Sequence, residues 1–125
     1  MLIRIFYFLM ICSAFLSITG CISENSATQE MARTIMKENQ NSDIFILESI
    51  LYKKVEIINE EQFNSVNIAP YGSISHNYQK NKNFQSGAAS VLPPGTQIYR
   101  SIEHPEYVYS NDRGTYTLYK SVPEG

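Results

Sequence analysis

Cysteine is scarce in this chain. Only Cys12 and Cys21 occur in its 125 residues, both near the N-terminus. Histidine is equally scarce, with His76 and His104 alone. A catalytic triad sets a histidine between a nucleophile and an acid, and neither local sequence offers that set. Basic charge is not in excess: 10 Lys and Arg face 12 Asp and Glu. That leaves no footprint for nucleic acid. A spanning helix needs roughly 20 apolar residues, and the run from Ile5 to Ile18 has fourteen. No phosphate loop, nucleophile elbow or H-E-x-x-H pattern occurs. Glu60 and Glu61 are adjacent, so on a helix they point apart and cannot act as the paired carboxylates of glycoside hydrolysis. Cofactor and metal signatures are absent from the sequence.

What is present begins at the N-terminus. Arg4 supplies one positive charge, the apolar run follows, and Ile18-Thr19-Gly20 leads into Cys21. The length suits a signal peptide over residues 1–20 better than a span. The four residues Ile18 to Cys21 resemble a bacterial lipobox, whose cysteine is lipidated and becomes the first residue of the mature protein. The resemblance implies a chain held at the cell membrane, on its extracytoplasmic face, through lipid on Cys21. Two acyl chains give stable anchoring, because each buried methylene contributes about 0.8 kcal/mol. The thioether would remove Cys21 as a redox group, and Cys12 would leave with the signal. The remaining 105 residues would then hold no thiol, excluding a cysteine nucleophile or cysteine zinc site. Lys80 and Lys82 are too few for a polybasic membrane signal.

After Cys21 the chain is polar and rich in small residues as far as Asn41. Residues 21–41 read as a flexible tether, with a reach of about 70 Å if some twenty residues are extended. Met31, Ile35 and the Ala32/Met36 pair are spaced for one or two helical turns. Residues 42–125 read as a small β-rich domain. Ile44 to Leu47 and Ile50 to Tyr52 flank Glu48-Ser49, as two strands around a tight turn. A single helix presenting Ile44, Leu47, Leu51 and Val55 on one face competes with that reading. Six β-branched residues between Ile44 and Ile58 favour the strands. Asn59 followed by Gln62 marks a short helix with an N-cap, to be anchored by Phe63 and Val66. Pro70-Tyr71-Gly72 reads as a turn, and Ser73 to Tyr78 alternates. Pro94-Gly95 suits the centre of a type II turn. Glu106 to Tyr109 and Thr115 to Val122 read as a hairpin around Asn111-Asp112-Arg113-Gly114, with Gly114 as a left-handed bulge residue. The expected fold is mainly β, a small α+β domain in which a curled antiparallel sheet carries one short helix.

Several pieces carry a further resemblance. They are Asp43-Ile44 with Tyr52, Gly72-x-Ile74, Phe84-x-x-Gly87-x-Ala89, Leu92-Pro93-x-Gly95-Thr96-x-Ile98-Tyr99, and the closing Glu124-Gly125. Together they are similar to a group of small, uncharacterised lipoproteins of Gram-positive bacteria. That group tends to place Asn or Gly in the first hairpin turn, where this chain has Glu48-Ser49. The resemblance implies location and a β-rich fold. It implies no activity, so it assigns no functional residue.

Three functional readings follow. Tyr99, Tyr107, Tyr109, Tyr116 and Tyr119 fall late in the chain; they read either as cross-strand core packing with hydroxyls at the edge or as a candidate binding surface, since exposed tyrosines favour interfaces. They suit a non-enzymatic interaction module whose partner is an envelope component or another extracytoplasmic protein. A small hydrolase or metal-handling protein would instead use His76 or His104, the latter between Glu103 and Glu106. A structural or immunity-like tether would need no small ligand.

Overall fold

The computed structural model describes residues 26–80 and 82–123. The expected signal peptide and Cys21 lie outside the described residues. The elements run α1 (Ser26–Glu38), β1 (Ile44–Leu47), β2 (Ile50–Ile58), α2 (Glu60–Ser65), β3 (Ile68–Ser73), β4 (His76–Asn77), β5 (Ala88–Ala89), β6 (Gln97–Ser101), β7 (Tyr107–Asp112) and β8 (Thr115–Ser121). The protein is mainly β. Its strands form one curled sheet in the order β3-β6-β7-β8-β2-β1-β5-β4. Every pairing is antiparallel except β4 with β5.

The first hairpin forms where the sequence reading set it. Leu47 pairs with Ile50 across Glu48-Ser49, which excludes the single-helix alternative. Both turn residues have positive φ, 47° and 66°. That is the twist a two-residue type I′ turn requires, and neither residue adopts it readily. β1 is buried at all four positions. Phe45 and Leu47 join the core inside the curl, while Ile44 and Ile46 join a second cluster on the opposite face. A strand buried on both faces reads as a continuous apolar run, as Ile44-Phe45-Ile46-Leu47 does.

The inner core explains the curl. It unites Ile98 of β6 with Ala89 of β5 and Phe45 of β1. In a flat sheet β6 and β5 would lie five strand spacings apart, about 24 Å. Sharing one core requires the sheet to bend back on itself. The bend brings its two edges onto one continuous segment. β3 pairs with β6, β4 pairs with β5, and only Ile74-Ser75 separates β3 from β4. Backbone bonds tie this joint to both sides: Ile74 N–H donates to Thr96 (3.0 Å) and Ser75 N–H donates to Gly87 (2.9 Å). Gly87 is forced here. Its φ is +86°, and a Cβ would stand 2.7 Å from Ser75 Oγ.

The expected tether over 21–41 is helix from Ser26 onward. α1 buries Thr28, Ala32 and Met36, one turn apart; Ala32 and Met36 pack with Ile44, Ile46, Leu51 and Phe84, and half-buried Met31 and Ile35 flank them. The Thr28 hydroxyl also donates to the Ser49 carbonyl (3.0 Å). The i,i+4 stripe was visible in the sequence, but an isolated helix of this length is marginal. The outer face of β1 supplies the missing stabilisation. α2 has the expected capping box. Asn59 accepts from the Gln62 N–H (2.8 Å), and the Gln62 side chain accepts from the Asn59 N–H (3.0 Å).

Three local expectations differ from the structure. Pro70-Tyr71-Gly72 is not a turn but part of β3, whose register slips between Pro70 and Gly72. An edge strand tolerates proline because its outward N–H needs no partner. The alternation from Ser73 to Tyr78 yields only the two-residue strand β4. The late hairpin turns in two residues, Arg113-Gly114, since Asp112 already pairs with Thr115. Their φ values of 51° and 88° again describe a type I′ turn. The Pro94-Gly95 turn is as expected. Gly95 has φ +90°, and Thr96 N–H donates to Pro93 (3.2 Å).

Candidate functional site

Strand alternation divides the late tyrosines between the two faces of the sheet. Register aligns Tyr99 with Tyr109, Tyr109 with Leu118, Asn111 with Tyr116, and Tyr107 with Lys120. Tyr99, Tyr107, Tyr109 and Tyr116 therefore share the outer face. Tyr119 pairs with Val108 and points into the curl, fully buried. It cannot belong to a binding surface. Its hydroxyl donates to Asp43 Oδ1 (2.9 Å). Burial pushes the Tyr119 phenol well above its usual pKa, with the Asp43 charge adding to the shift.

α2 lies over the outer face and seats one ring there. Phe63 stacks on Tyr116 with centroids 4.4 Å apart, and meets Tyr99 (5.8 Å) and Tyr109 (6.2 Å) edge-on. Tyr109 is covered, being 8% exposed. Burial also raises its phenol pKa. Tyr99, Tyr107 and Tyr116 stay half-buried. Tyr107 stands at the rim, with Lys120 Nζ 5.6 Å from its ring centroid and His104 edge-on at 6.5 Å. Three of the five sequence-derived tyrosines thus form an accessible aromatic patch, with Phe63 and Tyr109 as its foundation. Such rings offer large, rigid area with a polar tip.

The two histidines stand on different parts of the fold, His76 on β4 and His104 between β6 and β7. His104 is exposed, with Nδ1 3.9 Å from Glu106 Oε1. His76 is half-buried on β4, and its buried Nε2 has no hydrogen-bond partner. Among the described residues, no three His, Cys, Asp or Glu side chains are grouped as a metal site would need.

One polar cluster escaped the sequence reading. Arg100 Nη2 donates to the Tyr52 hydroxyl (3.2 Å), which donates to the Tyr71 hydroxyl (3.1 Å). The guanidinium also lies 3.8 Å from the Tyr71 ring centroid. Arg100 and Tyr71 come from the paired strands β6 and β3, and the curl brings Tyr52 of β2 to them. Burial, then the Tyr52 hydrogen bond, holds the Tyr71 phenol well above its usual pKa.

No protein-family model matches the chain, and no curated protein or solved structure does either.

Proposed function

We propose that this protein is a non-enzymatic interaction module, held on the outer face of the cell membrane by lipid on Cys21, of the kind found among small Gram-positive lipoproteins. The carrying observation is the aromatic patch. Tyr99 and Tyr116 stay half-exposed against Phe63, and half-exposed Tyr107 shares their sheet face; such amphipathic rings recur as binding anchors. Its partner is an envelope component or another extracytoplasmic protein. Among the described residues no helix is long and apolar enough to cross a membrane.

The start of α1 shortens the leash. Five Cα steps separate Cys21 from Ser26, a reach of at most about 18 Å. The aromatic patch would then meet partners close to the bilayer. Two measurements test the reading. Metabolic labelling with an alkyne fatty acid should mark the parent chain and leave Cys21→Ser unmarked. Equal labelling of both would end the anchoring proposal. Pull-down from membranes with the parent chain should capture a partner that the triple variant Tyr99→Ala, Tyr107→Ala, Tyr116→Ala loses. Identical capture by both would remove the patch as the contact surface.

A further inference from the structure

A cleft of about 640 Å³ lies between α1 and the side chains of Tyr78, Lys80, Lys82 and Asn83. Arg33 and Lys37 line it from the helix, and Lys80 and Lys82 from the segment opposite. Met36 and Tyr78 supply apolar lining, and the Tyr78 ring is held by stacking on Phe84 (centroids 4.7 Å, 18° between planes). No Asp or Glu is among the lining residues. Acidic residues outnumber basic ones in this chain, 12 to 10, yet four of those ten gather around one concavity.

Folding gains little from that arrangement. Arg33 and Lys37 are one helical turn apart, where like charges destabilise a helix. Arg33 meets Glu30 at 3.7 Å, but both side chains are about two-thirds exposed, so water screens the pair. Lys37, Lys80 and Lys82 form no ion pair among the described residues. Lys37 answers the negative end of the α1 dipole. Lys80 and Lys82 stand on a loop and have no dipole to answer. What would offset the mutual repulsion is a dense negative charge placed between them.

We propose that this cleft binds a ligand carrying two or more phosphate groups close together. Phosphate suits it for three reasons. Lysine and arginine are the usual donors to phosphate oxygens. Clustered phosphates bring several charges into a small volume, whereas each carboxylate brings one. The apolar wall of Met36 and Tyr78 accepts whatever carbon skeleton bears the phosphates. The chemistry is the same for a free polyphosphate and for a row of phospholipid headgroups. The proposal rests on neither the aromatic patch nor the lipid at Cys21.

The test is isothermal titration of the full chain in nonionic detergent at low salt. One arm adds inorganic tripolyphosphate; the other mixes phosphatidylglycerol into the micelles. Two variants are compared with the parent, Lys80→Gln/Lys82→Gln on the loop and Arg33→Gln/Lys37→Gln on the helix. Circular dichroism checks that each is folded, and the loop pair carries no burial that folding needs. We expect binding that weakens steeply with salt and falls roughly tenfold in each double variant. Tripolyphosphate binding alone assigns the site to a free phosphate chain, and binding to the micelles alone assigns it to headgroups. Absence of binding in both arms overturns the proposal. So does binding that stays within twofold of the parent in both variants, or sulfate binding as tightly as tripolyphosphate.

Discussion

Replacing Met36 with alanine tests whether α1 belongs to the fold. The Met36 side chain is 9% exposed and packs with Ile44, Ile46, Leu51 and Phe84. Truncating a buried methionine costs about 2–5 kcal/mol. Met36 borders the cationic cleft, so water can reach the gap and the lower end applies, about 2 kcal/mol. The control is Thr34→Ala on the exposed side of the same helix. Alanine has the better propensity, so the control should be neutral or stabilising by at most about 0.5 kcal/mol. Urea unfolding would be followed by far-ultraviolet circular dichroism and by tyrosine fluorescence, since the chain has nine tyrosines and no tryptophan. With a slope of about 1–3 kcal/mol per molar, the Met36→Ala midpoint should fall by about 1 M, with both signals moving together. A Met36→Ala midpoint equal to that of Thr34→Ala would refute the docking of α1. Loss of the helical signal ahead of the tyrosine signal would refute it as well.

Three further outcomes follow from the geometry. Replacing Glu48-Ser49 with Asn-Gly should stabilise the protein by about 1 kcal/mol, because both residues hold positive φ; thermal unfolding that shows a loss instead would argue against the type I′ turn. Gly87→Ala should cost more than about 1 kcal/mol, since it combines φ +86° with a Cβ 2.7 Å from Ser75 Oγ; an unchanged melting temperature would contradict the close approach of Gly87 to Ser75. Burial raises the Asp43 pKa, against the opposing pulls of the Tyr119 hydrogen bond and Lys54. The folded chain therefore keeps a proton that the unfolded chain releases, and this group's contribution to stability is lost as pH rises from the unfolded value through the folded one. Asp43→Asn removes the ionisation while keeping an oxygen for Tyr119. Its stability relative to the parent should climb with pH across that window, and a difference constant between about pH 3 and 7 would refute the assignment.

Local chemistry was legible where a few adjacent residues decide the outcome. Asn59 with Gln62 marks a cap, Pro94-Gly95 a type II turn, and the apolar run interrupted at Glu48-Ser49 a hairpin. Each reflects an interaction spanning four residues or fewer. The misreadings arose where a distant partner overrode local preference. Pro70 and Gly72 look like a turn until pairing with β6 makes them an edge strand. Arg113-Gly114 forms a shorter turn than its neighbours suggest, because the pairing of β7 and β8 runs on to Asp112 and Thr115. The polar stretch before Ser42 looks too poor in apolar residues to fold. The pairs Ala32/Met36 and Met31/Ile35 suffice once Ile44 and Ile46 offer them a surface.

The candidate sites divide in the same way. Alternation alone places Tyr107 with Tyr109 and sets Tyr116 apart from Tyr119, since neighbours two apart share a face. Which face meets water depends on the direction of the curl, and the curl is a property of all eight strands. It buries Tyr119 and leaves Tyr99, Tyr107 and Tyr116 half-exposed on the face where Phe63 packs. The Arg100–Tyr52–Tyr71 chain and the cationic cleft have no sequence signature at all. Lys37 and Lys80 lie more than forty residues apart, and only the docking of α1 on the outer face of β1 brings them to one cleft. The sequence by itself determined the mainly β character, the tight turns and the aromatic supply. The tertiary structure decided which residues became neighbours, because long-range pairing and shared burial set the surface.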